Sequence, residues 1–431
     1  MNTALLLADA GVKVTLYEKR DVLGGRAFSW MDPQSGQRVD NCQHITMRCC
    51  TQLDRFFKRL GVQDQIFWED RLNFLDIEGR NISLSNSWLP SPLHLVPSFL
   101  TFRALGFFDK VGIARAMSAM MRLKDDDPRQ DEYSIAAWLK DQRQTPRAMA
   151  RFWRIVLVSA CNEELERISA RIAFKVFRDG FLGGRDDWKM GIPTVPLSEL
   201  YTAPSLRLLD SLGAKVHLNT RVSGVEVSDG RAVGIRLGDE HLARADAVVC
   251  AVPFDLVLKM IPEAAMGDDP YFRRLNMLEF SPITGVHLWF KGKLPAPRSL
   301  ALLDRKVQWI FNHSRSGSGE TYLSLVVSSS REFAKLPANE VINLCRADIQ
   351  ACIPGADIST FIRGRVIKEH KATFSPIAGQ SVFRPDQRSP IPGLYLAGDW
   401  TDTGWPATME SAVLSGEMAV KRILEDIKKA E

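Results

Sequence analysis

The stretch that decides the fold is "VTLYEKRDVLGGRA", Val14 to Ala27. A β-rich run ends in an acidic residue, Glu18, and a glycine doublet with an arginine follows, Gly24, Gly25 and Arg26. This is the pattern of the second strand of a dinucleotide-binding fold, where a carboxylate at the end of the strand accepts hydrogen bonds from both ribose hydroxyls of an adenosine. Read alone, Glu18 is equally a surface charge beside Lys19 and Arg20. The glycines tip the balance, because they let backbone approach a pyrophosphate, whose oxygens the planar fork of Arg26 then pairs with. Such a fold also needs a glycine-rich loop about 20 residues before the acid, and counting back from Glu18 passes Met1. The expectation is that the first strand and its G-x-G-x-x-G loop lie upstream of Met1, since that strand holds the middle of the parallel sheet.

Two further stretches complete the same domain. Residues 208–253 read as a helix followed by short strands, with turn signals at "SDG" and "GDE" and a buried strand in "ADAVVCAVP". Residues 391–427 read as a strand, a polar loop and a long amphipathic helix. The expected fold class is therefore α/β: a Rossmann-like dinucleotide domain, lacking its first strand and glycine loop, plus an α+β substrate domain. The dinucleotide domain is assigned to residues 1–75, 186–264 and 381–431. The substrate domain takes a mostly helical part, 76–185, and a part of strand patterns with one helix, 265–380.

Composition sets the limits of function. At 431 residues, with 45% hydrophobic and 25% charged residues, the chain suits a globular enzyme of more than one domain. A net charge of +5 without a dense Lys/Arg cluster excludes nucleic acid as the partner. The seven cysteines contain no C-x-x-C pair and read as reduced thiols of a cytoplasmic protein. Cys42, Cys49 and Cys50 with His44 match no zinc spacing, and no metal is expected. The uncharged run from Asn81 to Phe102 is broken by Pro90, Pro92 and Pro97, so it does not read as a spanning helix. Continued to Leu123 it reads as helices with a broad apolar face, which either packs in a core or lies on the inner face of a membrane.

The chemistry sits in short motifs. Gly398 and Asp399 follow a buried strand, where the carboxylate can bind ribityl hydroxyls or order water beside a diphosphate. "GWPATMESA" then opens a helix whose first amides, around Thr408 and Met409, face an anion; a reduced flavin is one at N1/O2. Thr220, Arg221 and Val222 begin a strand suited to an adenine edge. In "DNCQHI", Gln43 and His44 are candidates for the neighbourhood of the redox ring, against the commoner reading of a structural histidine.

In order, EKRDVLGGRA, DNCQHITM, PTVPLSELY, LNTRVSGVEV, ADAVVCAVP and LAGDWTDTGWPATMESAVLSGEMA resemble the flavin amine oxidase and phytoene desaturase superfamily. Within it the chain is most similar to the squalene-associated FAD-dependent desaturases, the hydroxysqualene dehydroxylases. "CNEELERISAR" also resembles a family segment, with Glu163 and Glu164 where less acidic residues are expected. The resemblance implies FAD as cofactor, held by Glu18, Arg26, Val222 and Asp399 with Met409 beside the isoalloxazine. It implies a long-chain isoprenoid substrate, a separate donor of electrons to the flavin, and conversion of hydroxysqualene to squalene. His44 is the candidate proton donor for the departing hydroxyl. Two alternatives stand beside this reading. One is a carotenoid-type desaturase or an amine oxidase, with Trp400 and Trp405 imitating an aromatic cage but no lysine assigned. The other is a flavin-free lipid-binding homologue.

Overall fold

The computed structural model describes residues 1–34, 36–125, 127–238, 240–314 and 319–430. The helix Asn2–Asp9 gives way at Gly11, whose φ of +77° costs a glycine nothing, to the strand Thr15–Tyr17. That strand pairs in parallel with Lys215–His217, Thr15 opposite Lys215. A second parallel pair joins Val248–Cys250 to Leu394–Leu396. Between them in sequence, Val222–Ser228, Arg231–Leu237 and Leu242–Arg244 form an antiparallel meander. Its first turn uses Asp229 and Gly230, both at positive φ, the geometry that matches the twist of a tight hairpin.

The last helix, Met409–Ala430, lies against the first. A Cβ on Gly416 would come within 2.7 Å of Thr3 Oγ1, so the helices approach closely enough that a larger residue there would displace the Thr3 side chain. Asn2 Nδ2 donates to the Val413 carbonyl at 3.1 Å in the same contact. Leu7, Tyr395, Val420 and Ile423 close a small core beneath the Leu394–Leu396 strand. Head and tail of the chain thus build one element pair.

The second body is a seven-stranded sheet in the order Phe361–Phe374, Phe280–Lys291, Glu320–Ser328, Trp309–Asn312, Ser299–Leu302, Arg71–Leu75, Asn81–Ser85. The helix Ala338–Cys352 covers one face, burying Val341, Cys345, Ile349 and Cys352 against Val286, Leu288, Leu323 and Leu325. The helical segments between Phe107 and Phe177 build the largest core, around Trp153, Phe174, Phe177 and Trp188. Asn81–Ser85, expected within the apolar helices, is instead an edge strand. Its Ile82 and Leu84 are buried while Asn81, Ser83 and Ser85 turn outward, a period of two that an uncharged composition conceals.

The helix Ile155–Cys161 ends at Asn162, which takes a left-handed φ of +53°. Glu163, the acid that stood out beside it, is fully buried and forks onto Arg331 at 2.7 and 2.5 Å, also accepting from Ser375. Burial opposes its charge, but the Arg331 guanidinium, Ser375 and the Glu164 amide prevail and hold the carboxyl below its ordinary range. Glu164 pairs with Arg154 at 2.7 Å. Glu163 is therefore explained by partners remote in the chain and Glu164 by one ten residues before it.

Candidate active site

A cavity of about 2270 Å³ runs between the parallel pairs, the Cys42–Cys50 segment and the helical body. Glu18, Gly24, Gly25, Arg26, Gln43, His44, Val222, Gly398, Asp399, Thr408 and Met409 all line it. Residues separated by most of the chain share one wall.

The local backbone explains the glycines. Gly24 has φ +124°, and a Cβ there would sit 2.2 Å from the Ala27 carbonyl oxygen. Gly25, at φ +62°, has open space where its Cβ would be. Gly398 has φ +150° with a Cβ position only 2.4 Å from Trp400 Nε1. Glu18 ends its strand half-buried, one carboxylate oxygen accepting the Arg20 amide at 3.0 Å. Arg20 is steered away over the Phe28 ring at 4.0 Å and donates to the Gly25 carbonyl.

Arg26 departs from expectation. Its guanidinium pairs with Asp399 and donates to the Ala372 carbonyl at 2.9 Å, so two residues each expected on the cofactor meet one another. A cation and a carboxylate on one wall satisfy each other, and the pair presents an oriented guanidinium to the cavity. Val222 opens its strand at the cavity edge with Thr220 and Arg221.

Thr408 caps the final helix, its hydroxyl accepting the Ser411 amide at 3.2 Å and its carbonyl the Ala412 amide at 3.1 Å. Among the described residues the amides of Met409 and Glu410 have no protein acceptor. This is the positive end of a 22-residue helix. Met409 Sδ accepts from Tyr201 Oη at 3.0 Å. A flavin dinucleotide fits this wall. Side chains are sterically excluded at Gly24 and Gly398, Glu18 would hold a ribose, the Arg26–Asp399 pair a diphosphate or ribityl chain, and the Met409 helix end the ring.

His44 faces the cavity half-buried, with Nδ1 2.9 Å from the Cys42 carbonyl. Burial lowers its pKa, against the Cys42 carbonyl, which raises it; Arg26 nearby lowers it further. The ring is therefore neutral, Nδ1 donates to the carbonyl, and Nε2 carries the lone pair. The expected proton donor stands in this structure as an acceptor.

Several residues escaped the sequence reading. Glu369 accepts from Asn41 Nδ2 at 3.3 Å, and both line the cavity. Asn162 does so too, clamped to Thr373 Oγ1 at 2.8 Å and the Ser281 carbonyl at 3.1 Å. Glu369 is brought in by a remote strand and carries no local signature, and Asn162, though it lies in "CNEELERISAR", reaches the wall only through tertiary packing. The far arm of the cavity is apolar, walled by Leu72, Phe74, Leu84, Phe99, Phe102, Phe152, Ile155 and Val176. Phe74 and Phe99 meet Phe102 and Phe152 edge-on at 5.2 and 5.7 Å. Trp400 is locked in the core, donating to the Val252 carbonyl at 3.0 Å, whereas Trp405 receives Lys175 Nζ 4.7 Å from its ring. Among the described residues no group of three His, Cys, Asp or Glu could hold a metal, and no helix is long and apolar enough to cross a membrane.

Comparison with known proteins agrees with this geometry. The family described as flavin containing amine oxidoreductase matches residues 1–424. The 15-cis-phytoene desaturase of Glycine max is 29% identical over 449 residues, 99% of this chain and 78% of that protein. The corresponding enzyme of Synechococcus elongatus is 26% identical over 98% of this chain and 93% of its own length. A wild-type putrescine oxidase bound to putrescine shares the fold with a TM-score of 0.73 at 16% identity, covering 98% of this chain and 96% of that one. The chain thus pairs a Rossmann-like FAD domain with a substrate domain, uses FAD as its cofactor, and belongs to the flavin containing amine oxidoreductase family.

Proposed function

We propose that this flavoenzyme converts hydroxysqualene to squalene, with loss of the hydroxyl as water. The observation that carries the reading is the apolar arm, whose aromatic and aliphatic walls suit a long hydrocarbon and lead to the wall that carries Met409 and His44. FAD bound in its reduced form would supply the hydride needed by the carbon that loses its oxygen. The chain supplies the rest. The arm excludes water and so strengthens every charge interaction at the reacting end. Neutral His44 holds the substrate hydroxyl at Nε2, and a proton taken up from solvent passes through the imidazole at Nε2 to the oxygen, which leaves as water. The helix amides at Met409 and Glu410 stabilise negative charge.

The similarity to enzymes named 15-cis-phytoene desaturase favours a second reading, carotenoid-type desaturation. In that direction the substrate loses a hydride and a proton, and the lone pair on His44 Nε2 accepts the proton. We further propose that the protein is cytoplasmic and takes its isoprenoid from a lipid surface, and that a separate donor reduces its flavin. Anaerobic incubation of the holoenzyme decides among reactions. Squalene formed from hydroxysqualene with reduced FAD supports the first reading, and desaturation of phytoene with oxidised FAD supports the second. Turnover of a polyamine alone would overturn both.

A further inference from the structure

Glu410 is a buried carboxylate, 2% exposed, that the proposed reaction does not use. It stands in the first turn of the Met409–Ala430 helix, next to the methionine that faces the cavity. Its two oxygens leave that helix altogether. Oε1 accepts the Gln52 amide at 3.1 Å and Oε2 the Leu53 amide at 2.7 Å. These amides open the ten-residue helix Thr51–Leu60, whose preceding residue, Cys50, provides no side-chain cap. Tyr201 ties the same two elements together from the other side, its hydroxyl on Met409 Sδ and its ring 6.1 Å from Phe57 and 6.4 Å from Phe56 of that helix.

We propose that Glu410 is the positioning residue of the cofactor-facing helix end: by capping the Thr51–Leu60 helix across a tertiary contact, it sets where Met409 and the free amides beside it meet the flavin. A serine or aspartate at position 50 would cap the Thr51–Leu60 helix as well. Such a local cap would leave the Met409 turn untethered. The remote cap does both, so two helix N-termini are fastened to each other at one cavity wall. Burial raises the carboxyl's pKa and Glu417 adds to this, whereas the Leu53 and Gln52 amides and Lys175 lower it. Its charge is spent on the amides of the neighbouring helix, which leaves the field of its own helix end directed at the ring.

The inference rests on the flavin site alone. Its readouts involve no substrate, so its failure and that of the proposed reaction are distinguishable. The purified holoenzyme and its Glu410→Gln, Glu410→Ala, Tyr201→Phe and Cys50→Ser/Glu410→Ala variants are compared by FAD dissociation constant, flavin midpoint potential and visible spectrum. Glu410→Gln keeps an acceptor oxygen and holds FAD within about threefold of wild type. Glu410→Ala binds FAD about tenfold more weakly, as loss of a helix cap of this kind suggests. Its midpoint potential falls, because the amides stabilise the reduced anion less. Tyr201→Phe, which removes only the hydroxyl, shifts the potential in the same direction. Cys50→Ser/Glu410→Ala regains thermal stability through a local cap but keeps the lowered potential. Wild-type potential and affinity in either Glu410→Ala background, or in Tyr201→Phe where those backgrounds do not fold, overturns the proposal and reduces Glu410 to a helix cap.

Discussion

Asp399 and Arg26 show how one contact links the cofactor wall to stability. The Asp399 side chain is 7% exposed and its cation comes from a residue near the start of the chain. Arg26→Ala strands that carboxylate at a cost of about 1–3 kcal/mol. The expected result is a lower melting temperature and FAD lost on gel filtration, read by flavin absorbance. His287 carries a second prediction. Burial, with help from His313 and Arg365, holds it at about 3, although Asp32 pulls the other way. An unfolded imidazole titrates near 6.5. Between those values the unfolded chain binds a proton that the native protein refuses. Stability is whole above pH 6.5 and falls below it by about 1.4 kcal/mol per pH unit for this group. His313, held at about 4 mainly by burial, adds to the loss. Asp40, pushed up to about 6 by burial, offsets part of it below that pH, since its native form takes a proton first. Two histidines outweigh one aspartate, so melting temperature drops from pH 6.5 towards 4.5, and His287→Gln flattens the slope. An unchanged slope in that variant would refute the assignment. What the sequence displays at this scale is backbone: Gly24, Gly25 and Gly398 announce themselves because their conformations and contacts exclude side chains. Glu369 and Asn162 did not, because only tertiary packing brings them to the wall.

At the level of elements, strands and helices were legible where periodicity is strong. The "SDG" turn and the amphipathic final helix are both found. Asn81–Ser85 was hidden, since its alternation is short and sits in a run of uniformly uncharged residues. The segment that follows exposes Trp88, Phe107 and Phe108 at 83%, 73% and 81%, beside Leu93, Leu100 and Val111. Arg103, Arg115, Arg122 and Lys124 are exposed around them, and the sole acid between Asn81 and Lys124, Asp109, is buried. Phe99 and Phe102 of the same segment line the cavity from within. Vesicles containing anionic lipid should therefore sediment the protein, more weakly at high salt. Trp88→Ser/Phe107→Ser/Phe108→Ser should weaken that binding about tenfold or more while leaving melting temperature nearly unchanged, because these side chains are already in water.

For the whole molecule, the Glu163–Arg331 fork fastens the helical body to the sheet, and its two ends are unequal. Arg331→Ala leaves a fully buried carboxylate with Ser375, the Glu164 amide and a 3.5 Å contact to Arg167, a loss of about 1–3 kcal/mol. Glu163→Ala leaves a guanidinium that is 34% exposed and should cost distinctly less, which denaturant unfolding of the pair of variants measures. Equal losses would show that the fork does not bear the load assigned to it. Although Arg71–Leu75, assigned by sequence to the dinucleotide domain, joins the sheet of the second body, the α/β fold class was readable because both bodies draw on long patterned segments. The fork was not, because its partners lie on separate segments of the chain.

The contact at Gly416, where the closing helix rests on Thr3, has a consequence for the order of events during synthesis. Asn2–Asp9 emerges from the ribosome long before Met409–Ala430, the helix that packs on it. Until then the N-terminal portion waits with apolar residues such as Leu5 and Leu7 unshielded. The expected consequence is that flavin loads only once Met409–Ala430 is available, so that a chain ending before Met409 is colourless after purification.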